Sequence, residues 1–127
     1  MKPFLTLIFL TAILSCQKQQ EQGSTRGDEV VGSYSGSSAS SGVFIRVYKI
    51  GNGTYAIRKI SQAPFPEFTF EYNLDVLGIF FYKVPKQTVL GISISESSAV
   101  YGRDDKEFGF TLREADSTTS WTYTGYK

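Results

Sequence analysis

The chain has 127 residues, with 13 lysines and arginines against 12 aspartates and glutamates, one cysteine and no histidine. Without histidine it lacks the commonest general base and the commonest metal ligand, so a Ser-His-Asp arrangement is excluded. The balanced charge gives no steering toward nucleic acid or an anionic membrane. We therefore expect a non-catalytic protein with no metal and no cofactor.

The N-terminal residues have the form of a lipoprotein signal. Lys2 precedes the apolar run Phe4–Leu14, which is too short to span a bilayer as a helix, since about 20 residues are needed. Ile13-Leu14-Ser15-Cys16 then resembles the bacterial lipobox, with an aliphatic residue three positions before the cysteine and a small residue directly before it. This resemblance implies a signal peptide at residues 1–15 and an acylated Cys16 that attaches the chain to a lipid bilayer. The alternative is an ordinary signal peptide with an incidental cysteine, but Ile13 is not the small residue that such a cleavage site prefers.

Residues 16–29 are predicted to be the lipidated cysteine and a linker. Gln17–Glu29 has no apolar side chain to bury, so we expect it to stay solvated and, as a flexible coil, to reach about 20 Å from the anchor. Its first residues, Gln17–Glu21, loosely resemble the lysine-plus-acidic tags that send some Gram-negative lipoproteins outward. We expect a lipid-anchored protein of the Gram-negative cell envelope, in the outer membrane, on its periplasmic or its surface face.

Residues 30–127 predict one all-β domain, because they are rich in Tyr, Phe, Val, Ile and Thr. A first strand is expected at Val30–Ser35, and a hairpin at Val43–Ile60, where Asn52-Gly53 suits a type I′ turn. The serine-rich stretch Ser33–Gly42 is expected to be a flexible loop that could lie over a barrel mouth. Glu67–Asp75 alternates between apolar and polar residues, which predicts a strand with one dry face.

Five further strands are expected after Val76. Leu77–Val84 is apolar on both faces, and we favour a strand ending at Pro85 over the short helix that its apolar spacing would also allow. Thr88–Ser95 is expected to be one strand with Leu90, Ile92 and Ile94 on one face. The remaining strands are expected at Ala99–Tyr101, Lys106–Arg113 and Ser120–Thr124.

Short connections between these strands favour an antiparallel up-and-down meander of about eight strands. Closing the meander into a small barrel removes the exposed edges that invite aggregation. The fold class expected is therefore all-β, as a closed barrel, with a two-sheet β-sandwich as the alternative.

Both terminal strands carry a tyrosine two residues before a glycine, in Gly32-Ser33-Tyr34-Ser35-Gly36 and Tyr123-Thr124-Gly125. This arrangement resembles the short lipocalin-like lipoproteins of Gram-negative bacteria. Lipocalins begin with Gly-x-Trp, whose indole closes one barrel end beneath a basic residue of the last strand. Gly32 and Tyr34 lie at the matching positions, and the resemblance implies Arg113 or Lys127 as the basic partner. The chain departs from a full lipocalin in being shorter and in lacking a helix to pack against the barrel.

The polar clusters are better explained as solvent-exposed surface than as sites. Glu67, Glu71 and Asp75 are expected to share the wet face of one strand rather than to work as an acid-base pair. Arg103–Glu107 carries three carboxylates but lacks the spaced oxygens and the glycine of a calcium loop, so a charged turn is expected. Phe65, between two prolines, either caps a barrel end or stands exposed as an anchor for a partner.

Two functions are left open for the domain. In the leading one, the barrel binds a small apolar or amphipathic ligand. In the other, its core is filled, and the loops or outer face bind or inhibit a protein partner of the envelope. Nucleic acid is not expected, because basic residues are scattered and no phosphate loop is visible. The candidate ligand-binding residues are the inward aromatic side chains Tyr34, Phe68, Phe70, Tyr72, Phe108, Phe110, Trp121 and Tyr123.

Overall fold

The secondary structure of the domain is almost entirely β. The computed structural model describes residues 26–127, so the predicted signal peptide, Cys16 and residues 17–25 of the linker lie outside the described residues. Two single-turn 3₁₀ helices, Asp28–Val30 and Ser38–Ser40, occur in this range. No helix of residues 26–127 has the length and apolarity needed to cross a bilayer. The strands are β1 (Gly32–Gly36), β2 (Phe44–Gly51), β3 (Thr54–Lys59), β4 (Thr69–Val76), β5 (Ile79–Val84), β6 (Gln87–Val89), β7 (Ile92–Ile94), β8 (Ser97–Gly102), β9 (Glu107–Arg113) and β10 (Ser120–Tyr126).

Eight of these strands close into an antiparallel barrel. The order around it is β1-β10-β9-β8-β5-β4-β3-β2, and β2 pairs with β1 to complete the ring. This is chain order with one insertion, the separate β6–β7 hairpin. The predicted up-and-down barrel is confirmed, and the sandwich alternative is wrong because the hydrogen-bonded ladder returns to its first strand.

In β9 and β10, buried and exposed residues alternate along the strand, and the buried side chains are those that the sequence predicted to face the core. In β9, Phe108, Phe110 and Leu112 are buried while Thr111 is exposed, and in β10 Tyr123 is buried. The β2–β3 hairpin is also confirmed. Its turn differs from a type I′ turn, since Gly53 takes a positive φ of 70° and Asn52 does not. A register shift between Lys49 and Gly51 accompanies this turn.

Two Leu-Gly pairs that were expected inside strands form turns instead. Leu77 and Gly78 have φ angles of 51° and 81°, and Leu90 and Gly91 have φ angles of 50° and 82°. Two successive residues at positive φ reverse the chain with the twist that suits an antiparallel hairpin. The prediction of one strand at Thr88–Ser95 is therefore wrong, and the first strand residue after Val76 is Ile79.

Strand β4 changes face at Asn73. Tyr72 pairs with Tyr82, but Leu74 rather than Asn73 takes the next place, opposite Phe81. Beyond this bulge the alternation is inverted, because residues opposite one another in a ladder share a face. Asp75 now lies opposite buried Phe80, and its predicted place on the wet face with Glu67 and Glu71 is wrong.

The serine-rich stretch is held against the barrel. Ser33–Gly36 belongs to β1, the Ser37 amide donates to the Thr124 carbonyl at 2.9 Å, and the Thr124 amide donates to the buried Ser40 hydroxyl at 3.2 Å. The expectation of a flexible loop is wrong, because these hydrogen bonds tie the stretch to the last strand.

The connections divide between two barrel ends, because the strands alternate in direction. One end, called the proximal end below, holds residues 26–31, the turns Asn52–Gly53, Leu77–Gly78 and Arg103–Lys106, and Lys127. The opposite end, called the distal end, holds the β1–β2 connection, residues 60–68, the β6–β7 hairpin and the β9–β10 connection.

Candidate interaction surface

The inside of the barrel is packed with aromatic rings. Phe70, with no exposed surface, lies at the centre of this packing. Phe110 makes an edge contact with Phe68 at 4.8 Å between centroids and stacks on Tyr123 at 5.5 Å. Offset and edge-to-face contacts at such distances are favourable ring geometries. Around Phe70 stand Tyr55 at 5.6 Å, Phe68 at 6.0 Å, Tyr82 at 5.2 Å and Phe108 at 5.6 Å.

The structure brings all eight predicted ligand-binding residues into or against this core. Tyr72 and Trp121 are partly buried and pack against its edge. Inside the barrel these rings contact one another, as the centroid distances above show. The six that are at most 4% exposed are Tyr34, Phe68, Phe70, Phe108, Phe110 and Tyr123.

Residues 27–30 close the proximal end, and three tyrosines from inside the barrel hold them there. We call this arrangement the tyrosine latch. Gly27 and Val30 are buried, so the expectation of a solvated linker as far as Glu29 is wrong for this segment, and the folded domain begins before the predicted Val30. The three hydroxyls donate as follows: Tyr82 to the Gly27 carbonyl at 2.7 Å, Tyr55 to Asp28 Oδ1 at 2.6 Å, and Tyr34 to the Val30 carbonyl at 2.5 Å.

Burial keeps the phenols of the latch protonated. Desolvation raises the pKa of Tyr34 and of Tyr82 above the ordinary value near 10. The pKa of Tyr55 is raised first by burial and then by its hydrogen bond to Asp28. At the distal end, burial raises the pKa of Tyr123 to about 12. At neutral pH these side chains are therefore hydrogen-bond donors and not phenolate bases.

Arg103 covers the latch from outside. Its Nε and Nη2 atoms donate to the Glu29 carboxylate at 2.9 and 2.7 Å, and the guanidinium lies 5.2 Å above the centroid of the Phe80 ring. Arg103 belongs to the turn that was expected to be charged surface. Its role could not be found from sequence, since Glu29 lies 74 residues away in the chain.

Lys127, one of the two expected basic partners of Tyr34, is at the proximal end. Its ammonium donates to the Glu29 carbonyl and lies 5.0 Å above the Tyr101 ring, which meets Tyr34 edge-on at 6.3 Å. Arg113, the other candidate, is exposed at the distal end of β9. Lys127 therefore covers the Tyr101 ring, and Tyr34 lies on the inner side of Tyr101 rather than directly beneath the lysine.

Phe65 caps the distal end. It is 3% exposed and contacts Phe110 at 5.2 Å and Tyr123 at 6.0 Å between centroids, which settles the open choice between a cap and an exposed anchor. Lys59 Nζ donates to the Phe65 carbonyl at 2.8 Å and fixes the segment. The β6–β7 hairpin adds buried Ile94 to this closure. A cavity of about 240 Å³ lies beside Phe65 and is lined in part by Ser40 and Trp121.

A concave feature lies on the outer face of β8, β9 and β10. Gly109 lies between Val100 and Thr124 in one row across the three strands, and its missing side chain leaves a depression. A groove of about 740 Å³ follows this depression. Its outward-facing lining includes Ile79, Ser98, Val100, Gly102, Gly109, Thr111, Thr122 and Thr124.

The groove combines hydroxyls, an apolar edge and an excess of carboxylates. Thr111 and Thr122 are 3.3 Å apart at their Oγ1 atoms. Arg113 is the one cation along its lining, against the three carboxylates of Glu96, Asp105 and Glu107. Within residues 26–127, no group of three or more acidic, histidine or cysteine side chains is placed to hold a metal ion. The surface therefore suits a partner with basic and apolar side chains.

Comparison of the chain with protein-family models, with curated proteins and with solved structures gives no match. What is established is a small all-β domain with a closed eight-stranded barrel.

Proposed function

We propose that this chain is a lipid-anchored, non-catalytic lipoprotein of the Gram-negative envelope that binds an envelope protein on the outer face of its barrel. In this proposal the acylated Cys16 holds the chain on the outer membrane, and the groove over β8–β10 is the recognition surface. The observation that carries it is an interior packed with buried aromatic side chains, together with a groove of about 740 Å³ on the outer face of the barrel.

The packing of the interior supports the interaction module over the ligand-binding barrel. A ligand inside the barrel would have to displace rings such as Phe70 or Phe108, both without exposed surface. Emptying the place of one buried phenylalanine costs about 3–5 kcal/mol. The outer groove needs no such rearrangement before it can be occupied.

The acyl anchor is tested by replacing Cys16. We expect Cys16→Ser to leave the membrane fraction, because two or three acyl chains, at roughly 0.8 kcal/mol per buried methylene, supply the attachment. Unchanged partitioning of this variant would show that the lipobox interpretation is wrong.

The groove is tested by site-specific photo-crosslinking in intact cells. Thr111 points into the groove from β9, and Arg58 is an exposed residue on β3, four strands away around the ring in either direction. A photoreactive residue at position 111 should give a discrete adduct with one protein, whereas the same residue at position 58 should not. Identical adducts from both positions, or none from either, would contradict a recognition surface at β8–β10.

The ligand-binding hypothesis is tested by native mass spectrometry of the intact mature protein. We expect its mass to equal that of the acylated chain alone. A co-purifying apolar molecule that is retained in the native spectrum and lost on unfolding would support the ligand-binding hypothesis instead.

A further inference from the structure

Leu77 is placed at an unfavourable position for a leucine. It is 97% exposed, and its φ of 51° lies in the left-handed region, where a branched side chain is disfavoured. The first central position of such a turn usually holds Asn, Asp or Gly. Leu90, in the equivalent turn at the distal end, shares this φ and this exposure, so what distinguishes Leu77 is its surroundings.

Leu77 is the tip of a larger apolar area. The neighbouring outward-facing residues on β4 and β5 are Leu74, Val76 and Ile79, which are 44%, 53% and 44% exposed. Val76 and Ile79 lie opposite each other in the ladder directly below the turn. We call these four residues the proximal apolar patch.

The chain leading to the predicted anchor joins the barrel beside this patch. Arg26, the first described residue, pairs with Asp75 at 3.7 Å, and Asp75 directly precedes Val76. Only residues 17–25 separate Arg26 from Cys16. Ten residue steps span at most about 35 Å even when fully extended. An anchor at Cys16 therefore holds the proximal end of the barrel within reach of the lipid surface.

The charges at this end do not provide an electrostatic attraction to lipid. Lys49 pairs with Asp28 at 3.0 Å and Arg103 pairs with Glu29 at 2.7 Å, in addition to the Arg26 pair. Three of the five cations described at this end are thus paired with carboxylates, and the other two, Lys106 and Lys127, are matched in number by Asp104 and Asp105, so no basic cluster surrounds Leu77. A contact with the bilayer has to come from apolar insertion.

We propose that the proximal apolar patch rests on the lipid bilayer, with the Leu77 side chain inserted at the boundary between headgroups and acyl chains. This inference rests on the proposed acyl anchor, since tethering supplies the high local concentration that lets one small apolar contact be populated. The anchor determines which surface of the barrel faces the lipid, and Leu77 limits the barrel's rotation on its tether. The groove over β8–β10 is then held in a defined orientation relative to the membrane.

The test uses the lipidated full mature chain in vesicles and a matched pair of probes. Because Cys16 is the sole cysteine and is acylated, a cysteine introduced at position 77 or 90 is the one free thiol for an environment-sensitive fluorophore. Leu90 is the control, since it occupies the same kind of Leu-Gly turn at φ 50° and is 96% exposed, but at the distal end. With spin-labelled quencher lipids in phosphatidylcholine vesicles, the probe in Leu77→Cys should be quenched and blue-shifted. The probe in Leu90→Cys should stay in water.

A second arm places the probe at a neighbouring position and changes Leu77 itself. With the probe at Ile79→Cys, adding Leu77→Asn should lower the ratio of docked to undocked barrel by about tenfold, the effect of losing one buried leucine contact. Asn is well suited to the turn, so this variant is expected to fold. Leu90→Asn should leave the ratio unchanged.

The outcomes separate the two proposals. A protein that does not float with the vesicles refutes the anchor at Cys16 and this inference together. A protein that floats but shows equal quenching at positions 77 and 90 refutes the inference alone. Quenching that appears only after phosphatidylglycerol is added would overturn an apolar contact, whereas equal quenching with and without this anionic lipid supports it.

Discussion

Phe70 is the side chain that best tests whether the barrel is filled. It has no exposed surface, and its ring lies within 6.0 Å of the rings of Tyr55, Phe68, Tyr82 and Phe108. We expect Phe70→Ala to lower the free energy of unfolding by about 4 kcal/mol, which combines lost burial with the cavity left behind. The total stability of a domain of this size is about 5–15 kcal/mol, so most of the variant should still fold.

Urea unfolding measures this change directly. The midpoint of Phe70→Ala should fall by about 2 M with an unchanged slope. Phe44, which is 45% exposed, provides the matched control, and Phe44→Ala should cost under about 1 kcal/mol. Phe70→Ala, which leaves a cavity in the core, should also be stabilised by added benzene, whereas the natural protein should not. A cost below about 1 kcal/mol for Phe70→Ala, or stabilisation of the natural protein by benzene, would show spare space inside the barrel and refute the filled-core reasoning.

Two further predictions concern the tyrosine latch. Because burial raises the pKa of Tyr34 and Tyr82 above the value near 10 of an unfolded tyrosine, the unfolded chain loses these protons first, and stability falls as pH rises above about 10. The contribution of Tyr34 and Tyr82 together should lower the free energy of unfolding by about 3 kcal/mol between about pH 9 and pH 11. The measurement is the urea midpoint across that range, and a constant midpoint would contradict the prediction. Tyr82→Phe should cost about 1–2 kcal/mol, because the Gly27 carbonyl loses its 2.7 Å hydrogen bond, and should also make the alkaline loss smaller. Tyr48→Phe, at a position 41% exposed, is the control expected to change neither quantity.

The barrel could be predicted wherever burial follows strict alternation. Phe108, Phe110 and Leu112 occupy every second position of β9, and their burial is a local property of the pattern. The same rule fails at Leu77 and Leu90, since a leucine before a glycine continues the apolar alternation although the backbone reverses there. It fails again at Asn73, because a bulge is set by the pairing of two strands and leaves no mark in the alternation of one.

The features of the candidate interaction surface were harder to predict from the sequence than the core. The sequence pattern can indicate that the tyrosines of the latch face the core. It does not indicate that Tyr82 donates a hydrogen bond to Gly27, because Gly27 is 55 residues distant in sequence. The groove depends on Gly109 standing beside Val100 and Thr124, a coincidence of register between three strands. A glycine in one strand indicates a weak position but not which neighbours surround it.

The tyrosine latch has a mechanical consequence. β1 and β10 are joined over only two residue pairs, Ser35 with Tyr126 and Gly36 with Gly125, which makes this the shortest seam of the ring. A pull on the proposed membrane tether does not load that seam first. The tension reaches Gly27 and Asp28 and passes through the phenol groups of Tyr82 and Tyr55 into β5 and β3, neither of which borders that seam. We therefore expect β3 and β5 to bear the tension before β1 separates from β10.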